Sequence, residues 1–230
     1  MQAGTGSPAC LPASRRRWVK ICGNRYFADS FAVAAMEPDF MGWIVSPRSR
    51  RRIPAADLAR ILPLLRARHP RIRHVLVCAA NPVSEIRALC ARARPDFVQI
   101  VEGPGFLNFL DRLAGRPGVV PVFRPQAALT GAEAVFRQRG AFFLLDAFVP
   151  GMAGGTGQQI PPDFLNSVPR PYMIAGGLTP ENVSAVLART GARGADASSG
   201  LEYAGQPGHK DLDRVRRFIA AIRSVASDTF

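Results

Sequence analysis

The sequence has no apolar stretch that approaches the roughly 20 residues a helix needs to cross a bilayer. Its N-terminus, MQAGTGSPACLPASRRRW, also lacks the apolar centre of a signal peptide, and its arginines follow the small residues instead of preceding them. We therefore expect no membrane partner and a cytoplasmic location. We further expect residues 1–16 to form a flexible extension and residues 17–230 to form a single domain.

Cysteine and histidine are both scarce. No two cysteines form a CxxC pair, and the three histidines show no metal-ligand spacing with cysteine or acidic residues. These patterns favour a reducing compartment and argue against a metal site. The residues concerned are Cys10, Cys22, Cys78, Cys90, His69, His74 and His209.

Lysine is scarcer still, although the net charge is +13. Of the 30 basic residues, all but Lys20 and Lys210 are arginines. Nearly all of the basic excess lies in residues 1–94, with runs at 15–17 and 50–52. It is consistent with a solvated basic surface or with attraction of anionic substrates. Specific nucleic-acid binding is disfavoured, because aromatic residues do not interleave with the arginines as a stacking platform requires.

Short apolar runs recur along the chain, and most of the spaces between them carry apolar residues at helical spacing. The runs span residues 18–22, 40–45, 74–78, 97–101, 119–123, 142–146, 172–176 and 194–198, and the helical patterns span 27–36, 55–68, 82–93, 105–115, 132–140, 179–191 and 210–225. In the 179–191 segment, Thr179 is expected as N-cap and Gly191 as the stop. The alternation predicts an α/β fold, a single (β/α)8 TIM barrel. A doubly wound open sheet is the rival, but no GxGxxG follows the first run.

Two reactive side chains end predicted strands of this barrel. Cys22 ends the first run and Asp146 ends the sixth, so both would face the barrel mouth where the chemistry of such folds takes place. Each also has a simpler interpretation: a small core cysteine, or an aspartate that starts a turn.

Three glycine-rich loops are expected at the same mouth: GGTG (154–157), AGGLTPENV (175–183) and ASSGLE (197–202). Glycine allows main-chain N–H groups to approach an anion closely, and the loops after strands seven and eight form the usual phosphate site of TIM barrels. The alternative is that these glycines serve only tight turns.

These motifs, in this order, resemble those of the phosphoribosylanthranilate isomerase family of tryptophan biosynthesis. The resemblance runs from about residue 18 to 225 and rests on KICGN (20–24), SPRSRR (46–51), LLDAFVPGMAGGTG (144–157), AGGLTPENV, ADASSGLE (195–202) and PGHKD (207–211). It implies a small-molecule phosphosugar substrate and a cofactor-free Amadori rearrangement. In this reaction the phosphoribosylamine of anthranilate opens its ring and isomerises to the 1-deoxyribulose compound. A monomer or homodimer is expected.

The resemblance also implies roles for single residues. Asp146 matches the general acid that protonates the ring oxygen, and Cys22 matches the base that removes the C2′ proton. Arg51 matches the arginine that faces the anthranilate carboxylate, although Arg50 or Arg52 in the same run could serve instead. Phosphate contacts match Gly176, Gly177, Ser199 and Gly200, and Gly155 supports the site from the GGTG loop.

Lys20 lies two residues before Cys22, so both side chains are expected on the inward face of the first strand. Its ammonium could lower the pKa of the thiol, or it could compensate other buried carboxylates. The sequence leaves both open.

The sequence departs from the family pattern after strands three to five. Val101-Glu102 replace a His-Gly pair, Asn81 comes one position late after Cys78-Ala79-Ala80, Pro121 stands in place of a lysine, and Ala147 follows the acid in place of serine. Two alternatives to the isomerase therefore stay open: a related barrel isomerase acting on a different phosphosugar amine, and a non-catalytic phosphosugar- or RNA-binding relative. Cys22 and Asp146 count against the second, since binding alone requires neither.

Overall fold

A computed structural model describes residues 16–101, 118–123, 142–146 and 171–226. Eight parallel strands pair in chain order, and β8 closes the ring by pairing with β1. The strands are β1 Trp18–Ile21, β2 Phe40–Ile44, β3 Arg73–Cys78, β4 Phe97–Val101, β5 Gly118–Phe123, β6 Phe143–Asp146, β7 Tyr172–Ala175 and β8 Gly194–Ala197. The predicted barrel is confirmed. The open sheet is excluded, because a closed ring has no edge strands.

Helices cover the outside of the barrel: α1 Phe27–Ala34, α2 Ala55–Arg68, α3 Val83–Ala93, α4 Val183–Thr190 and α5 Leu212–Ser224. Helix α5 buries Val215, Phe218 and Ile222 from its predicted apolar stripe. The side chain of Asp211 caps α5 by accepting from the amides of Asp213 and Arg214. The patterns at 105–115 and 132–140 lie outside the described residues.

Helix α4 begins later than predicted. Gly191 ends it with a left-handed φ of 60°, as expected, but the N-cap is Asn182 and not Thr179. The Asn182 side chain accepts from the Thr179 amide at 2.9 Å and donates to the Gly177 carbonyl at 3.0 Å. These bonds hold residues 177–182 as a turn, which the capping pattern alone could not indicate.

A layer of aromatic rings fills the interior of the barrel below the mouth. Trp18, Phe40, Phe97 and Phe142 contact one another with ring centroids 5.1 to 6.0 Å apart, mostly edge to face. All four are buried. Large side chains at these inward positions fill the barrel below the end where the strands terminate.

The predicted N-terminal extension lies outside the described residues except for Arg16, and its boundary stays a prediction. None of the helices in the described part of the chain is long and apolar enough to cross a membrane.

Candidate active site

Cys22 and Asp146 lie at the same end of the barrel. Cys22 directly follows β1, is 6% exposed, and its amide donates to the carbonyl of Ala197 on β8 at 2.9 Å. Asp146 is the last residue of β6, is half-buried, and stands in register with Ala175 on β7. Their strands are three positions apart around the closed ring, so they approach the mouth from different sides.

A buried ion pair lies inside the barrel, directly below these strand ends. Lys20 stands in register with Asp196 across the β1–β8 pair, and its Nζ contacts Asp196 Oδ2 at 2.7 Å. The two side chains are 0% and 6% exposed. Burial by itself lowers the pKa of Lys20, but the negative charges of Asp196 and of the Cys22 thiolate outweigh it and raise the pKa above its ordinary value. Lys20 is therefore held as a cation.

The environment of Cys22 contains two opposing influences. Burial raises the pKa of the thiol, and the Lys20 ammonium, within hydrogen-bonding reach of the sulfur, lowers it in part. The net pKa lies above that of a free thiol. Both interpretations of Lys20 therefore apply: it compensates a buried carboxylate and it also favours the thiolate.

Gly42 on β2 makes the contact between Lys20 and Cys22 possible. A Cβ built on Gly42 would lie 2.7 Å from Cys22 Sγ and 3.1 Å from Lys20 Nζ. Any side chain at this position would displace one of the two groups. Sequence reasoning missed Gly42 because an isolated strand glycine carries no functional pattern.

Only one arginine of the 50–52 run turns toward the mouth. Arg50 and Arg52 are exposed, whereas Arg51 is half-buried. Its Nε donates to both carboxylate oxygens of Glu202 at 2.8 and 2.9 Å. Its aliphatic stem packs over Gly23, whose hypothetical Cβ would lie 3.0 Å from Arg51 Cδ. Arg51 is thereby placed beside the loop that carries Cys22.

The glycine-rich loops after β7 and β8 touch each other. Gly176 and Gly177 have φ values of 98° and 59°, which favour glycine. A Cβ on Gly200 would lie 2.0 Å from the carbonyl oxygen of Leu178, so only glycine fits between the two loops. Ser199 is exposed beside it. The four residues predicted to contact phosphate thus converge on one corner of the mouth. Gly155 and the GGTG loop lie outside the described residues.

Several buried acceptors and donors near this mouth have no hydrogen-bond partner among the described residues, including Asp196 Oδ1, Gln99 Oε1 and Ser198 Oγ. Groups of this kind suit the hydroxyls of a polar ligand.

Asp196 and Glu202, like Gly42, were not predicted from the sequence as site residues. The available signal was the ADASSGLE motif (195–202), which contains both Asp196 and Glu202.

The late position of Asn81 after β3, which departs from the family pattern, affects the local structure. Ala80 adopts a left-handed φ of 58°, and Asn81 donates to the Val45 carbonyl and to Glu85. The displaced asparagine therefore ties the loop after β3 to the end of β2 and to α3. Glu102 and Ala147 lie outside the described residues.

A family model described as N-(5'phosphoribosyl)anthranilate (PRA) isomerase matches residues 19–221 of this chain. Among curated proteins, the N-(5'-phosphoribosyl)anthranilate isomerase of Symbiobacterium thermophilum is 31% identical over 91% of this chain and 99% of its own length. The enzyme of the same name from Synechococcus elongatus is 32% identical over 89% of this chain and 95% of its own length.

Solved structures give the same result. The phosphoribosyl anthranilate isomerase of Thermus thermophilus has a TM-score of 0.74 at 26% identity and covers 91% of this chain and 100% of its own. That of Thermotoga maritima has a TM-score of 0.74 at 26% identity, covering 90% of this chain and 98% of its own. A further structure of the isomerase, with a TM-score of 0.72 at 25% identity over 90% of this chain and 98% of its own, is a complex with reduced 1-(o-carboxyphenylamino)-1-deoxyribulose 5-phosphate.

Proposed function

The chain belongs to the N-(5'-phosphoribosyl)anthranilate isomerase family and is an isomerase of tryptophan biosynthesis, and we propose that Cys22 and Asp146 perform its acid–base chemistry. The observation that carries this proposal is their placement: both stand where a strand ends, at the same end of the barrel, above the layer of aromatic rings. The family match favours the isomerase over both alternatives raised by the altered loops.

The chemistry requires two proton transfers at neighbouring positions of the sugar. Asp146 donates a proton to the ring oxygen, so that the C1′–O bond breaks and a cationic C1′=N bond forms. Cys22, as the thiolate, then removes the C2′ proton. The electrons flow toward nitrogen, and the resulting enol tautomerises to the ketose. One acid and one base suffice for these two transfers.

Lys20 is the residue that makes a buried thiol usable as a base. Its ammonium stabilises the thiolate against the cost of burial, and Asp196 holds that ammonium in place at 2.7 Å. The net pKa of the thiol nevertheless stays above the ordinary value. The rearrangement is assisted here by the cationic C1′=N bond, which acidifies the C2′ proton.

The two ends of the substrate are assigned to different groups at the mouth. We assign the phosphate to the loops holding Gly176, Gly177, Ser199 and Gly200, and the anthranilate carboxylate to Arg51. Supporting this, the phosphate loops meet at Gly200, and a guanidinium binds a carboxylate through two parallel N–H donors. The analogue in the related complex carries both a phosphate and a carboxylate.

The monomeric or homodimeric state, the cytoplasmic location and the boundary of the N-terminal extension remain proposals.

The decisive experiment measures turnover of N-(5'-phosphoribosyl)anthranilate by its fluorescence for the wild type, Cys22→Ser and Asp146→Asn. Each variant should lose about 10²–10⁴-fold in kcat, which is the usual effect of losing a general acid or base. Both should bind the reduced product analogue as the wild type does. Matched controls are Cys90→Ser on α3 and Asp213→Asn on the exposed side of α5, which should turn over normally. Near-normal turnover of either active-site variant contradicts the assignment.

A further inference from the structure

Arg51 is anchored in the mouth by Glu202, the last residue of the ADASSGLE motif, to which the family resemblance gave no role. Glu202 accepts the Arg51 Nε–H with both of its oxygens, at 2.8 and 2.9 Å. The carboxylate side chain is only 4% exposed, whereas the arginine side chain is 27% exposed. A charge-assisted bond to a buried, immobile acceptor restricts the plane and direction of the guanidinium.

Lys210 in turn holds Glu202. Its Nζ contacts Glu202 Oε1 at 3.0 Å and donates to the Ser198 carbonyl at 3.2 Å, and its side chain is fully buried. The backbones of Glu202 and Lys210 also form an isolated antiparallel bridge. Burial raises the pKa of the Glu202 carboxyl, but hydrogen bonds from Arg51 and Lys210 outweigh it, and the net pKa lies below the ordinary value. Glu202 is thus kept ionised.

This arrangement leaves Arg51 able to bind a second anion. A guanidinium has five N–H donors, and the contact with Glu202 uses only the one on Nε. Burial lowers the pKa of Lys210 below its ordinary value, and Glu202 opposes this only in part. When Lys210 is protonated, the three side chains carry one net positive charge, which an incoming carboxylate neutralises. The site is therefore matched to a monoanionic ligand group at the Nη end of Arg51.

Glu202 also links the two ends of the proposed substrate site. It directly follows the short helical turn Ser199–Leu201, which carries two of the residues assigned to phosphate. The residue that holds Arg51 is thus continuous in the chain with the turn assigned to phosphate.

We propose that Glu202 is a positioning residue that, held by Lys210, orients Arg51 for the carboxylate of the substrate. This inference rests on the proposed role of Arg51. Glu202 does not itself contact the substrate carboxylate, since two anions would repel each other. Its function is to make the binding of a carboxylate selective.

The test compares two ligands: the reduced product analogue, and the same compound without the carboxyl group on its ring. The ratio of their dissociation constants, here called the carboxylate selectivity, is measured together with the affinity for inorganic phosphate. Glu202→Gln should lower the selectivity by roughly tenfold or more, because a misdirected guanidinium loses its geometric match to the carboxylate. Phosphate affinity should stay near the wild-type value.

Glu37→Gln is the matched control, since Glu37 is exposed and precedes β2 at the opposite end of the barrel. It should leave the selectivity unchanged. If Glu202→Gln does not fold, Glu202→Asp is measured by the same ratio, because it keeps the charge but withdraws it by one methylene group.

Unchanged selectivity in the Glu202 variant overturns the inference. So does an equal loss of affinity for both analogues and for phosphate, because Glu202 would then only support the scaffold. The Arg51→Ala variant distinguishes failure of the inference about Glu202 from failure of the proposed role of Arg51. If Arg51→Ala keeps full carboxylate selectivity, the assignment of Arg51 itself is wrong. If Arg51→Ala loses the selectivity and Glu202→Gln keeps it, only the positioning role of Glu202 is wrong.

Discussion

The α-carbon of Gly42 faces the thiol of Cys22 so closely that a Cβ there would lie 2.7 Å from the sulfur. This separation is below any normal non-bonded contact, so Gly42→Ala must displace the thiol or the Lys20 ammonium and disturb their contact. We expect kcat to fall about 10²-fold with little change in KM, since displacing a reacting group by about 1 Å has effects of this size. Alkylation of Cys22 by iodoacetamide should also shift to higher pH, because the thiolate loses its cation.

Gly194→Ala is the comparison for this prediction. A Cβ there would lie 2.3 Å from the carbonyl oxygen of Trp18, which is rigid backbone below the mouth. We expect that variant to lose thermal stability. A Gly42→Ala protein with wild-type kcat and an unchanged alkylation profile would show that the space beside Cys22 has no catalytic importance.

The raised pKa of Cys22 predicts that the thiol reacts faster at alkaline pH than at neutral pH. The base must be the thiolate, and its pKa lies above the ordinary thiol value of about 8.5. As pH rises toward that pKa, the thiolate fraction grows, and the rate of Cys22 alkylation by iodoacetamide should grow with it without reaching a plateau near pH 7. The alkylation rate is measured between pH 6 and 10. A plateau already present at neutral pH would contradict a raised pKa for Cys22.

Gly177 should be essential for phosphate binding. Its φ of 59° disfavours a β-branched residue, and its carbonyl is held by Asn182. We expect Gly177→Val to weaken binding of inorganic phosphate roughly tenfold to a hundredfold, the effect of losing one charge-assisted hydrogen bond. Calorimetric titration measures this directly.

Gly205→Val is the matched control for Gly177. Gly205 also has a left-handed φ, of 73°, but a Cβ there would meet open space. The two variants share the backbone strain and differ only in position. Equal phosphate affinity in both would remove the loop after β7 from the phosphate site.

His74 should make folding stability depend on pH. It is fully buried, and its Nδ1 accepts from Trp43 Nε1 at 3.2 Å. Burial first, and then the nearby positive charges of Arg66 and Arg73, lower its pKa to about 3. The pKa of an unfolded histidine is about 6.5. The neutral form therefore stabilises the fold fully above pH 6.5, and this stability is lost as pH falls from 6.5 toward 3.

The loss should amount to at most about 1.4 kcal/mol per pH unit within that window. Urea unfolding at pH 7.5, 5.5 and 4.5 measures it. His74→Gln, which keeps an acceptor for Trp43 but does not titrate in this range, should lose less stability on acidification than the wild type. Parallel losses in the two proteins would show that His74 has no part in the acid sensitivity.

Much of the fold was predictable because its signals are local. Each strand appeared as a short apolar run, and α2 begins and ends at the predicted residues, 55 and 68. Chain order also placed Cys22 and Asp146 correctly at strand ends. The start of α4 was wrong by a few residues, because the Asn182 side chain makes a turn where the capping pattern indicated a helix.

The sequence by itself therefore determined the eight-stranded barrel and the end of it at which the residues proposed as acid, base and phosphate contacts lie. The tertiary structure alone decided which charges meet there. Lys20 and Asp196 are 176 residues apart, and Arg51 and Glu202 are 151 apart. These pairs form because closure of the barrel brings β8 and the loop that follows it beside β1 and the loop after β2. Periodicity within one segment carries no information about that register, and it cannot show that Gly42 leaves the space in which Lys20 and Cys22 meet.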